Sequence, residues 1–145
     1  MGDLLRVKAK VQDVLAREFQ PELTAEGGYS IRYESARLFV DVTQNPDDSD
    51  APVFIDFLAP LVFNLPPAPE LFEYVATNAN SYQLGHLYAA RVDNGTVTVG
   101  FAHSLLGDFL DDEEVFSAVV AVLGTGNQLD DEIKAQFGGE RYFED

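Results

Sequence analysis

Residues 53–65 read VFIDFLAPLVFNL, the most apolar stretch of the chain, and their alternation decides the fold. Successive side chains of a β-strand point to opposite faces. Val53, Ile55, Phe57, Ala59, Leu61 and Phe63 therefore share one face, and Phe54, Leu58 and Val62 share the other, interrupted by Asp56. Two apolar faces are more than a sheet covered on one side requires. Pro60 offers no amide hydrogen to a ladder, so it predicts a bulge or an edge position within the strand.

Working outward, the same period of two appears upstream. Tyr29, Ile31 and Tyr33 alternate with polar residues in 29–34, and Leu38, Val40 and Val42 alternate with Phe39, Asp41 and Thr43 in 37–43. A hairpin at Glu34-Ser35-Ala36 joins them, and the polar run 45–52 is a loop. Before them, Leu4, Val7, Val11, Val14 or Leu15, and Phe19 recur at three- and four-residue steps, so the chain opens with an amphipathic helix that Pro21 stops. Downstream, Pro69 suits the first position of a helix striped by Leu71, Phe72, Val75, Ala79 and Tyr82. Two strands follow at 86–93 and 96–103, joined at Asn94-Gly95, the strongest short hairpin signal.

The last helix starts near Asp111, where Asp111 and Glu114 fit a capping pair and the acidic first turn complements the helix dipole. Its apolar phase runs from Val115 to Phe137 without a break. One helix continuing through Gly124 and Gly126 is expected, with a break at 124–127 as the competing reading, and Gly138-Gly139 closes it. The order α-β-β-β-α-β-β-α does not alternate βαβ. It predicts an α+β fold over residues 1–145, one domain with an antiparallel sheet packed against helices.

Composition narrows the function. Nine Lys and Arg stand against 25 Asp and Glu, a formal charge of −16. Such a field repels nucleic-acid phosphates and anionic lipid, and no basic stripe offsets it. The absence of cysteine removes disulfides and thiol catalysis. The N-terminal stretch lacks the apolar core of a signal peptide, and no run approaches the ~18 apolar residues of a membrane span. These features lead us to expect a cytoplasmic protein.

Catalytic and metal signatures are weak. Counting outward from Asn94-Gly95 sets His86 opposite His103, so a two-histidine metal site with Asp108 is conceivable, but cross-strand polar packing is the expectation. No HExxH, nucleophile elbow or glycine-rich phosphate loop occurs. Asp47, Asp48 and Asp50 lack the register of a calcium loop. The Asp130-Asp131-Glu132 run reads as a solvated helix face. No cofactor, metal or catalytic residue is expected, and the chain is read as not an enzyme.

The informative feature is apolar surplus. Phe39, Phe54, Leu58 and Val62 fall on the strand face opposite the main core register. Either the third helix covers that face as a second core layer, or part of it remains as a contact surface for a partner.

The element order is similar to that of the type III secretion chaperone fold shared with YbjN-like proteins. Residues 72–80 (FEYVATNAN), Gly85-His86-Leu87-Tyr88, residues 103–108 (HSLLGD), residues 129–133 (LDDEI) and Phe137-Gly138-Gly139 look most like actinobacterial YbjN-type members. This resemblance implies a small, acidic, non-enzymatic module that holds a peptide or protein client against apolar patches, usually as a homodimer. A small-ligand sensor with a pocket between the sheet and the C-terminal helix is the alternative.

Overall fold

A computed structural model describes residues 2–144. Helix α1 (Leu4–Glu18) leads into strands β1 (Glu22–Leu23), β2 (Tyr29–Tyr33), β3 (Ala36–Thr43) and β4 (Phe54–Leu65). Helix α2 (Pro69–Asn78), strands β5 (His86–Arg91) and β6 (Val97–Leu106), helix α3 (Asp112–Phe137) and strand β7 (Glu140–Arg141) complete the chain. The expected order is observed. Two strands of two residues each, β1 and β7, are additional, being too short for any periodic signal. The sheet is antiparallel, ordered β1-β2-β3-β4-β6-β5, with β7 paired to the far end of β4.

All three helices lie on one face of the sheet. Ile55, Phe57, Ala59 and Leu61 of β4, Leu38 and Val40 of β3, and Val99 and Phe101 of β6 are buried there in one core. Val7, Val11, Val14 and Leu15 of α1, Leu71 and Val75 of α2, and Val115 to Ile133 of α3 close it from above. Helix α3 is continuous through both internal glycines, as its apolar phase predicts. Gly126 is where it presses on the sheet: a Cβ there would stand 3.2 Å from a Leu61 methyl and 3.5 Å from the Ala59 Cβ.

The helix ends obey local chemistry. Asp3 and Asp111 cap α1 and α3, accepting from the amides of Arg6 at 3.1 Å and Glu114 at 2.9 Å. Pro69 opens α2. Gly138 and Gly139 both adopt positive φ, which reverses the chain so that β7 can pair with β4.

Two local features depart from expectation. The β5–β6 connection is a three-residue loop, Asp93-Asn94-Gly95, because Val92 and Thr96 still pair (N···O 3.0 Å) and Gly95 takes φ 84°. That is a three-residue hairpin loop with a left-handed glycine, not a two-residue turn. It shifts the register by one. The 130–132 run is also not wholly solvated: Asp130 is 1% exposed. It accepts from Ser35 Oγ at 2.7 Å, while Asn127 accepts from Ser35 N at 3.2 Å and donates to the Glu34 carboxylate at 2.6 Å. Glu34 has φ 53°, a conformation most side chains avoid, and this clamp from α3 holds the β2–β3 turn in it.

Burial, the largest influence, pushes the Asp130 carboxyl from 3.8 up to about 6. A folded value above the unfolded one means that stability is fully present below pH 3.8 and lost as pH rises to about 6. The loss is on the order of 2–3 kcal/mol. Asp130→Asn keeps an acceptor for Ser35 without the charge. It is expected to raise the melting temperature near neutral pH and to flatten its dependence between about pH 4 and about pH 6, as followed by circular dichroism.

Candidate functional site

The face of the sheet turned away from the helices carries no second layer among the described residues. Register fixes its rows. Thr43, Phe54 and Leu106 form one row, and Asp41, Asp56 and Ser104 the next. Ser30, Phe39, Leu58, Ala102 and His86 form the third, and Arg32 and Arg37 lie beside Pro60, Gly100 and Tyr88 in the fourth. Phe54, Leu58 and Leu106 are 43%, 38% and 45% exposed. The helix α3 that could have buried them packs on the opposite face.

Of the four residues singled out in the sequence, three share this face. Phe54 and Leu58 are open to solvent, and Phe39 is half-buried directly across from Leu58. Val62 is not with them; it is fully buried. The β4–β6 register slips by one residue between Pro60 and Val62, so Leu61 is extra and Val62 falls opposite Val99 on the core side. The bulge that Pro60 predicts is thus real, and it returns Val62 to the core.

The C-terminal segment covers one corner of the face. Tyr142 packs edge-on against Phe39 at 6.1 Å between ring centres and against Phe63 at 5.6 Å. Phe143 lies 3.7 Å from the Arg32 guanidinium and also faces Arg37. These are cation–π contacts, in which the ring quadrupole attracts the charge. Arg37 bonds Ser30 Oγ at 2.8 Å, which satisfies a hydroxyl that would otherwise be buried alone. At the other end, the Tyr88 ring lies flat over Gly100, where a Cβ would stand 2.3 Å from it. Burial raises the Tyr88 hydroxyl above its ordinary range.

The acidic row crosses the middle of the face. Asp41 and Asp56 are direct cross-strand partners. Asp56 accepts from Thr43 Oγ1 at 3.0 Å and Ser104 Oγ at 2.7 Å. Burial, the Asp56 charge and the Glu26 charge together raise the Asp41 carboxyl. Gly28 makes room for it, since a Cβ at 28 would stand 2.0 Å from an Asp41 oxygen.

The two histidines do not meet. The three-residue loop sets His86 opposite Ala102, and a one-residue slip turns a side chain to the other face. His86 belongs to the open face, whereas His103 pairs with Phe57 on the helix side, near the start of α3. Burial, then the His86 charge, lowers the His103 imidazole. Asp108 is occupied structurally: its carboxylate accepts from the amides of Asp3 (3.2 Å) and Val53 (3.1 Å), tying α1 to the start of β4. No group of three or more His, Asp or Glu among the described residues could hold a metal ion.

A separate cleft of about 870 Å³ lies at the β2 edge, between the end of α1 and the middle of α3. Phe19, Ile31, Leu123, Arg32 and Arg37 are among its lining residues. No helix among the described residues is long and apolar enough to cross a membrane.

Because Val62 is core and Leu58 is surface, their truncations are expected to diverge. Val62→Ala should cost about 2 kcal/mol from lost burial and cavity. Leu58→Ser should cost less than about 0.5 kcal/mol. Urea unfolding measures both.

The chain matches known proteins along nearly its whole length. The family described as T3SS (YopN, CesT) and YbjN peptide-binding chaperone 1, TY-Chap1, matches residues 5–145. The structure is similar to that in the crystal structure of the ExsC–ExsE complex, at 14% identity and a TM-score of 0.62, covering 90% of this chain and 96% of that one. It is also similar to YbjN from E. coli, at 12% identity and a TM-score of 0.63, covering 93% and 94%. No curated protein matches it in sequence. With 141 of its 145 residues matched, this chain belongs to the TY-Chap1 family of T3SS and YbjN peptide-binding chaperones.

Proposed function

We propose that this protein is a non-enzymatic, cytoplasmic chaperone-like or regulatory module that binds an extended segment of a partner protein on its open sheet face. The observation that carries this reading is the set of half-exposed apolar residues there, on both sides of the acidic row. Phe54 and Leu58 on β4 and Leu106 on β6 stand on a face that no helix among the described residues covers. Exposed, contiguous apolar surface in a water-soluble protein marks an interaction site. The family's description supplies the class of ligand, a peptide.

A rigid sheet suits this task. Its side chains project at fixed spacing, so a segment laid on it meets preformed rows and little ordering cost falls on the protein. Phe39 contributes from under Tyr142, so the C-terminal aromatic residues border the surface.

A homodimer fits the outward face of α3. Phe116 and Val120, one helical turn apart, are 40% and 49% exposed, and Phe116 stacks on Phe19 at 5.6 Å. Pairing there leaves the sheet face free. Sedimentation velocity is expected to show a dimer that Val120→Arg dissociates; a wild-type monomer contradicts this part.

The second reading, a small-ligand sensor, rests on the cleft beside α3, whose volume lies in the usual range for such sites. The two readings use different residues. Phe54→Ser with Leu58→Ser is expected to abolish retention of peptides from an immobilised random-sequence array and to leave the melting temperature within about 2 °C. Retention that survives this change but is lost on Tyr33→Ser, an exposed residue of the cleft lining, would favour the cleft.

A further inference from the structure

We propose that the segment bound on the open face carries a Lys or Arg between two apolar residues, in the spacing apolar-x-basic-x-apolar, and that Asp41 and Asp56 select the basic residue. The proposal rests on the sheet-face reading above and specifies its ligand. Its basis is the banding of the face. Along β4 the outward residues are Phe54, Asp56 and Leu58, so an acid lies between two exposed apolar positions. On the neighbouring strands the middle position is again polar: Asp41 lies between Thr43 and the half-buried Phe39 on β3, and Ser104 between Leu106 and Ala102 on β6.

The acid pair costs the fold something. Like charges directly opposite on neighbouring strands are destabilising. Among the described residues no Lys or Arg forms a salt bridge with Asp41 or Asp56. Thr43 and Ser104 donate to Asp56 and hold its carboxylate in place without neutralising it. The glycine at 28 is likewise shaped around the Asp41 carboxylate. A cation laid over the pair would relieve the repulsion, and burial under a bound segment would strengthen the attraction.

Geometry sets the spacing. Outward residues of a strand recur every second position, about 6.6–6.8 Å apart. An extended segment aligned with β4 has the same repeat. When its central side chain reaches Asp41 and Asp56, its residues two before and two after meet the Phe54–Leu106 row and the Leu58–Ala102 row. A second copy of this chain is the wrong occupant. Two-fold pairing through this face would set acid row against acid row on molecules that each carry −16. A basic segment is drawn by both the local pair and the whole field.

The test is selection of a random-sequence phage-displayed peptide library on the wild-type protein and on the Asp41→Asn/Asp56→Asn variant. Both changes are isosteric and remove repulsion, so the variant should fold and melt no lower than wild type. Wild-type selections are expected to enrich Lys or Arg two residues from apolar positions on each side, and variant selections to lose that enrichment. In fluorescence anisotropy, changing the central basic residue of a selected peptide to Gln should weaken binding to wild type about tenfold and leave binding to the variant unchanged. Selected peptides that depend on Leu58 but show no basic preference would overturn this inference and leave the sheet-face reading standing. If no selected peptide depends on Leu58, both fail.

Discussion

The close approach of α3 to β4 at Gly126 is the contact on which the rest of the molecule depends. With no side chain at that point, the helix settles onto Ala59 and Leu61, and its Val119, Val122, Leu129 and Ile133 reach the same core. Helices α1 and α2 join it on the same side. The burial that stabilises the fold is therefore spent on one face of the sheet, at roughly 25 cal/mol for each Å² removed from water. No helix among the described residues covers the other face; the C-terminal segment shields one corner of it, and Phe54, Leu58 and Leu106 stay in contact with water. The exposed surface is a consequence of how the core is built.

That surface is banded instead of uniformly greasy. Apolar rows run on either side of the Asp41–Asp56 row, and the Arg32–Arg37 row lies beyond the Leu58 row under Phe143. For the proposed binding face, charges interspersed with apolar residues would disfavour arbitrary apolar partners, since a wrong partner must leave a carboxylate unpaired. At one corner Tyr142 shields Phe39 and Phe63. The polar groups that anchor this arrangement lie outside the face. Asp108 ties the amides of Asp3 and Val53, and Asn127 and Asp130 clamp the turn at Glu34.

Much of this is legible in the sequence because periodicity is a local property. The two-faced alternation of residues 53–61, up to the bulge after Pro60, the stripe of α1 and the helical phase of α3 through Gly124 and Gly126 survive in the structure. So do Pro69 as a helix start and Asp111 as a cap. What is not legible depends on single-residue offsets or on distant partners. Asn94-Gly95 signals a hairpin, but whether two or three residues make the loop depends on whether Val92 and Thr96 pair, and that choice separates His86 from His103. Pro60 signals a bulge, yet the resulting turn of Val62 into the core follows only from its pairing with Val99. Asp130 looks solvated because its neighbours are charged; Ser35, far away in sequence, explains its burial. The contact between Tyr142 and Phe39 leaves no periodic trace, and the acid pair appears only when β3 and β4 are set in register.

The proposed function places peptide ligands on the sheet face opposite the helices. Methyl-resolved NMR of the protein titrated with a selected peptide tests it most directly, because each face carries its own methyl groups. Shifts concentrated at Leu58, Leu106 and Ala102, with Val120 and Leu123 beside the α3 cleft unmoved, are the predicted result. Shifts concentrated at Val120 and Leu123, with Leu58 and Leu106 unmoved, would contradict it.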